Sequence, residues 1–257
     1  ELANMLIGQT GTNIFLTGKA GTGKTTFLKT LVKESPKRMI ILAPTGIAAI
    51  NAGGMTIHSF FQLPFAPYIP GTAFGGDAKY RFRFGREKLN IMRSIDLLVI
   101  DEISMVRADL LDAIDDVLRR FRRSDKPFGG VQLLLIGDVQ QLPPVAKNDE
   151  WQMLSEYYET PYFFSSKALV KTVFCTIELK KVYRQNDTRF LDLLNAIREN
   201  RCTEADLAAL NSRYIPEHDR INDRGYIRLT THNYQAHQIN RQKMDELPAE
   251  RFIFRAT

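Results

Sequence analysis

Short apolar runs alternate with amphipathic stretches over the first two-thirds of the chain. Ile14-Phe15-Leu16, Met39 to Ala43, Leu97 to Ile100 and Val131 to Ile136 are compact apolar runs that predict strands. Between them lie helical signals. Thr25 to Lys33 is helix-permissive, and residues 45–52 predict a short helix stopped by Gly53-Gly54. Leu110, Leu111, Ile114, Val117, Leu118 and Phe121 recur at helical spacing and predict an amphipathic helix over 107–122, with these six as its buried stripe. The alternation predicts an α/β fold, a parallel sheet with crossover helices.

Residues 62–92 interrupt that rhythm with Pro64, Pro67 and Pro70, then glycines, then an aromatic-basic run, which predicts an insertion. The pattern resumes after residue 180. Phe190, Leu191, Leu194 and Ile197 mark one helix, Thr203 to Asp206 reads as a capping box opening a second, Tyr226 to Thr230 predicts a strand, and 234–247 another helix. The expected organisation is therefore a first domain at 1–180, containing the 62–92 insertion, and the beginning of a second at 181–257. No internal repeat or low-complexity tract is visible.

Composition narrows the class. The 257 residues can bury one large core or two smaller ones. A net charge of +6 leans toward a polyanionic partner. Cys175 and Cys202 are far apart and form no metal-ligand spacing, which suits a reduced intracellular setting. No run predicts a membrane span or a signal peptide. The first residue is Glu, so a processed or trimmed chain is expected.

The chemistry concentrates in a few motifs. Gly18 to Thr25, GKAGTGKT, fits the phosphate-binding loop G-x-x-x-x-G-K-[ST], between a strand and a helix as that loop requires. Gly18, Gly21 and Gly23 allow a tight turn, and with Ala20, Thr22 and Thr26 the loop presents backbone N–H groups to nucleotide phosphates. Lys24 is expected on the β and γ phosphates and the Thr25 hydroxyl on Mg²⁺. Leu97 to Glu102, LLVIDE, delivers two carboxylates at the end of a strand. Asp101 is expected to hold Mg²⁺ and Glu102 to polarise the water that attacks the γ phosphate, although an acidic pair after a strand also serves as a helix cap. Gly137-Asp138 closes the next strand, followed by Gln140-Gln141. A glutamine there can reach a γ phosphate, or the segment is an ordinary exit turn.

Nucleic-acid candidates follow the strand ending at Ala43. Pro44-Thr45 offers a hydroxyl at a helix start, His58 and Ser59 offer phosphate ligands, and Phe60 a base-stacking ring, with Phe60 and Phe61 equally readable as core. Tyr80 to Arg86, YRFRFGR, would put Arg81 and Arg83 on one face of a hairpin, suited to nucleic acid or to solvent.

In order, GKAGTGKT, APTGIAA, VIDEISM and GDVQQLPP resemble the motifs of the Pif family of 5′-to-3′ DNA helicases, in the RecD-like branch of superfamily one. The more specific signal is Leu111 to Gln132, which resembles the family's signature segment, ending in PFGG-x-Q. TIHSFF at 56–61 and VYRQ at 182–185 resemble further family motifs. The resemblance implies two RecA-like domains, the second incomplete because two later family motifs are missing before Thr257. It implies ATP between the domains, single-stranded DNA across their top, and the 62–92 insertion near the fork. It assigns γ-phosphate sensing to Gln141 and an arginine finger to Arg184. The expected partners are single-stranded DNA and forked or tailed duplexes, with ATP and Mg²⁺ bound and no membrane, in a monomer. Repair, recombination and telomere roles are all compatible, as are cytoplasmic, nuclear or mitochondrial settings. Two other readings compete: a nucleotide-gated DNA-binding scaffold that never unwinds, and a RecD-like subunit of a recombination nuclease complex.

Overall fold

A computed structural model of the chain describes residues 1–71, 84–183, 187–215, 227–249 and 252. It divides into two units, Glu1–Arg201 and Cys202–Thr257.

The first unit is built on a six-stranded sheet. In chain order its elements are α1 (Leu2–Gln9), β1 (Asn13–Gly18), α2 (Lys24–Glu34), β2 (Met39–Ala43), α3 (Gly46–Ala52), β3 (Met55–Thr56), α4 (Ile57–Phe61), α5 (Arg86–Ser94), β4 (Leu97–Ile100), α6 (Ala108–Arg122), β5 (Gln132–Gly137), α7 (Asn148–Leu154), α8 (Lys167–Val170), β6 (Phe174–Leu179) and α9 (Thr188–Arg198). The strand order is β3-β2-β4-β5-β1-β6, and every pairing is parallel.

Strand side chains alternate between faces, so register sets two cores. Ile41, Val99, Leu134 and Ile14 pair in one row and lie in the core covered by α1 and α2, through Ile7, Leu28 and Leu31. Leu42, Ile100, Leu135 and Phe15 form the neighbouring row and face the other core, under α4, α5 and α6. Fully burying each such aliphatic side chain contributes about 1.5–3 kcal/mol.

Helix α6 carries the predicted stripe, with Leu111, Ile114, Val117 and Leu118 fully buried and Leu110 and Phe121 at its half-buried edges. Three aspartates on the same helix are buried too. Asp109 accepts from the Tyr68 N–H at 3.0 Å and from Arg107. Asp112 accepts from Tyr158 Oη, Ser166 Oγ and the N–H groups of Lys167 and Ala168. Asp115 accepts from the Phe128 N–H at 2.5 Å and so holds the PFGG turn. That turn needs Gly129: its φ is +63°, and a Cβ there would lie 2.9 Å from the Leu118 carbonyl oxygen. Arg122 closes the arrangement, donating to the carbonyls of Gly129 (2.9 Å), Met92 (2.9 Å) and Ile95 (3.2 Å).

Within the 62–92 span, Leu63, Tyr68 and Met92 join the core beneath α6. Arg81 and Arg83, expected to contact nucleic acid, lie outside the described residues.

The second unit contains α10 (Glu204–Asn211) and α11 (Asn233–Asp245). The capping box at Thr203 and Asp206 is formed as the sequence predicts. Of the strand expected at 226–230, the described residues 227–230 form none: Ile227 and Leu229 are exposed coil, and no described residue of this unit is buried.

Candidate active site

Parallel strands deliver their C-terminal ends to one edge of the sheet. β1 ends at Gly18, where a Cβ would lie 2.5 Å from the Leu179 carbonyl oxygen and 2.8 Å from Thr22 Oγ1, so only glycine fits between β1, β6 and the loop. The loop then curls back to α2. Thr22 Oγ1 donates to the Lys19 carbonyl at 2.8 Å, and the Tyr183 N–H donates to the Gly21 carbonyl at 2.8 Å. Lys24 Nζ donates to the carbonyls of Gly18 (2.6 Å) and Lys19 (3.1 Å), lying inside its own loop. Burial pulls its pKa below the ordinary lysine value, against the opposing pull of Asp138, Glu102 and Asp101. Ala20, Gly21, Thr22, Gly23, Lys24, Thr25 and Thr26 line a cavity of about 380 Å³.

Glu102 and Gln141 line the same cavity from neighbouring strands. Asp101 follows β4 directly, is 7 % exposed, and accepts from the Glu102 N–H at 3.0 Å. Glu102 takes a left-handed backbone (φ 53°), which turns the chain sharply off the strand. Burial raises the pKa of both carboxyls, and for Glu102 the Asp101 charge adds to the shift. Two desolvated carboxylates facing one lysine suit a divalent cation, which would relieve both the burial cost and their repulsion.

Asp138, after β5, is 2 % exposed. Its Oδ2 accepts from Gln141 Nε2 at 2.9 Å, and its Oδ1 accepts from Arg198 Nη2 of α9 at 2.7 Å and from the Gln140 N–H at 3.2 Å. Burial works to raise this carboxyl, but the bonds from Gln141 and Arg198 outweigh it and hold the pKa below the ordinary aspartate value.

A second cavity, of about 290 Å³, opens at the same edge beyond β2. Pro44, Thr45, His58, Phe65 and Arg107 are among its walls. Thr45 is the N-cap of α3, its hydroxyl accepting from the Ala48 N–H at 3.2 Å. The His58 ring stacks on Phe65 at 4.6 Å and 16°. Burial, then Arg107, lowers the His58 pKa, so its imidazole is neutral at pH 7.

The predicted residues thus sort by placement. Ala20 to Thr26, Glu102 and Gln141 line one cavity, with Gly18 packed at the root of the loop against Leu179 and Asp101 buried next to Glu102 in the chain. Pro44, Thr45 and His58 line the second, and Ser59 is exposed on α4. Of the two readings of Phe60, base-stacking ring or core, the base-stacking one is corrected: it is 3 % exposed and packs edge-on against Phe61 at 4.8 Å, so it belongs to the core. The exposed ring is Phe65, at 90 %. Its place within a proline-rich stretch was the available signal. Arg184 lies outside the described residues. Sequence reasoning missed Arg198, sixty positions from Asp138 with no motif around it.

The family profile described as PIF1-like helicase matches residues 1–207. The human ATP-dependent DNA helicase PIF1 is 37% identical over 260 residues, which cover 96% of this chain and 36% of that protein. The Saccharomyces cerevisiae ATP-dependent DNA helicase RRM3 is 34% identical, over 98% of this chain and 34% of its own length. The chain therefore spans about a third of the length of these curated relatives. The crystal structure of Pif1 helicase from Bacteroides in complex with ADP-AlF3 and single-stranded DNA superposes with a TM-score of 0.85 at 42% identity, covering 97% of this chain and 56% of that one. A family match over residues 1–207 and relatives alike along nearly the whole chain, on the same all-parallel sheet, place the chain in the PIF1-like helicase family.

Proposed function

We propose that this chain is the ATP-hydrolysing motor portion of a 5′-to-3′ DNA helicase. The observation that carries the proposal is convergence. The phosphate loop, Glu102 and the Gln141 side chain meet at one cavity, with Asp101 buried at the end of the same strand as Glu102, and an aromatic groove opens on the same sheet edge. The Bacteroides relative held with both ADP-AlF3 and single-stranded DNA supports the pairing of these two sites.

Lys24 is satisfied by loop carbonyls, bonds that phosphate oxygens can replace with stronger, charge-assisted ones. Glu102, raised by burial, acts as the base toward the attacking water. Gln141, presented by Asp138, reads the γ phosphate. Thr25 and Asp101 would hold Mg²⁺, whose chemistry when bound is to neutralise charge on the β and γ oxygens. Arg184 is the candidate arginine finger. On the DNA side, Pro44, Thr45 and Ser59 contact backbone, neutral His58 serves by stacking and hydrogen bonding, and Phe65 supplies an exposed ring for a base. Arg81 and Arg83 are further candidate phosphate contacts. A DNA substrate places the protein in whichever compartment holds that DNA.

The test uses the full-length protein. Glu102→Gln should bind ATP as the parent does and lose turnover by about 10²- to 10⁴-fold. Lys24→Ala should lose nucleotide binding and turnover together. Parent-rate hydrolysis by both variants would show the site to be misassigned.

A further inference from the structure

The Asp138 carboxylate creates an electrostatic problem at the candidate γ-phosphate sensor. It is nearly fully buried, it remains ionised, and it touches the side chain assigned to the γ phosphate. An unpaired anion there would repel the phosphate that Gln141 is meant to detect.

Arg198 removes that conflict. Its Nη2 lies 2.7 Å from Asp138 Oδ1, while Gln141 occupies Oδ2, so one carboxylate is shared between sensor and cation. The guanidinium is half-buried, and its Nε is buried with no hydrogen-bond partner among the described residues. Its positive charge is near enough to Lys24 to oppose that lysine's protonation slightly. Arg198 sits at the end of α9, and the same helix is tied to the phosphate loop: Lys19 Nζ donates to Asn195 Oδ1 at 2.8 Å and to Glu199 Oε1 at 3.2 Å. Asn195, Arg198 and Glu199 are three and four positions apart and share one helix face. That face touches the loop that binds phosphates and the residue that presents the sensor.

We propose that Arg198 is a positioning residue for nucleotide discrimination: it neutralises Asp138 and fixes the carboxylate so that Gln141 favours ATP over ADP. The inference rests on the phosphate-site reading above and adds to it the source of γ-phosphate selectivity. Arg198 does its work through Asp138 and Gln141, without needing to touch the nucleotide. Its removal should therefore cost ATP affinity and spare ADP affinity.

The experiment measures the affinity of the full-length protein for a non-hydrolysable ATP analogue and for ADP, with Mg²⁺ present. In Arg198→Ala the preference for the ATP analogue should fall about tenfold with ADP affinity unchanged. Arg198→Lys, which keeps the charge and is the less disruptive change, should retain most of the preference. Adding Asp138→Asn to Arg198→Ala should restore much of it, because the repelling anion is gone. A purely structural role predicts the opposite pattern: equal losses for both nucleotides, and a double variant worse than either single one. Lys24→Ala separates the two levels of the reading. If it binds nucleotide like the parent, the phosphate site and this inference both fall. If it loses binding while Arg198→Ala keeps the parent ratio, the inference alone falls.

Discussion

Asp112 offers a sharp test of how α6 organises the first unit. Its carboxylate is 6 % exposed and receives four donors: Ser166 Oγ at 2.5 Å, Tyr158 Oη and the Ala168 N–H at 2.9 Å, and the Lys167 N–H at 3.0 Å. Asp112→Ala removes the acceptor of all four, three of which belong to buried residues. A hydrogen bond to a charged group contributes about 1.5–3 kcal/mol. The four bonds share one carboxylate and one desolvation cost, so they do not add. Leaving a buried donor unsatisfied costs about 1–3 kcal/mol, and for four donors sharing one acceptor about 4 kcal/mol is the expected loss. At about 2–4 °C per kcal/mol, the main thermal transition should fall by about 8–16 °C. Asp116→Ala, on the half-buried side of the same helix, should stay within about 0.5 kcal/mol of the parent. Differential scanning calorimetry on both variants decides the matter. A shift for Asp112→Ala no larger than that for Asp116→Ala would refute the reasoning.

Three further outcomes follow from particular contacts. Gly18→Ala should abolish nucleotide binding measured by calorimetric titration, because its Cβ would collide with the Leu179 carbonyl and displace the loop; unchanged binding would show that the loop yields there. Phe65→Ala should leave the fold intact and weaken single-stranded DNA binding by about 1–3 kcal/mol, since a 90 % exposed ring contributes little to the core; an unchanged affinity would remove Phe65 from the DNA path. Val117→Asp should unfold or aggregate the chain by placing an unpaired charge at a fully buried position, and a soluble, folded variant by circular dichroism would overturn the helix-face assignment.

What the sequence made legible follows from how narrow the chemistry is. A close backbone approach demands glycine, as at Gly18 against the Leu179 carbonyl, so the Gly18 to Thr25 loop was readable without a structure. Strands β1, β2, β4 and β5 were readable because both of their faces are buried, which forces continuous apolar runs. β6 escaped notice: at the sheet edge, Phe174 to Leu179 is only half-buried or exposed, and Thr176 and Glu178 break the apolar run. The buried aspartates of α6 were illegible for a different reason. Amphipathic patterning assigns charges to solvent, and Asp109, Asp112 and Asp115 are buried because backbone and hydroxyl donors from distant segments meet them. The same blindness hid Arg198, whose partner is distant in sequence and whose helix reads as ordinary. Phe60 was readable either as a base-stacking ring or as core because adjacent phenylalanines give no periodicity; α4 turns both into the core, and the exposed ring is Phe65.

The central claim is that the cavity at Lys24, Glu102 and Gln141 drives movement along one DNA strand from 5′ to 3′. Strand displacement by the full-length protein, on otherwise identical duplexes carrying a 5′ or a 3′ single-stranded tail, tests it most directly. The account predicts ATP-dependent unwinding of the 5′-tailed duplex, lost in Glu102→Gln, with the 3′-tailed duplex left intact. Unwinding from the 3′ tail alone, or equal unwinding by Glu102→Gln, would contradict it.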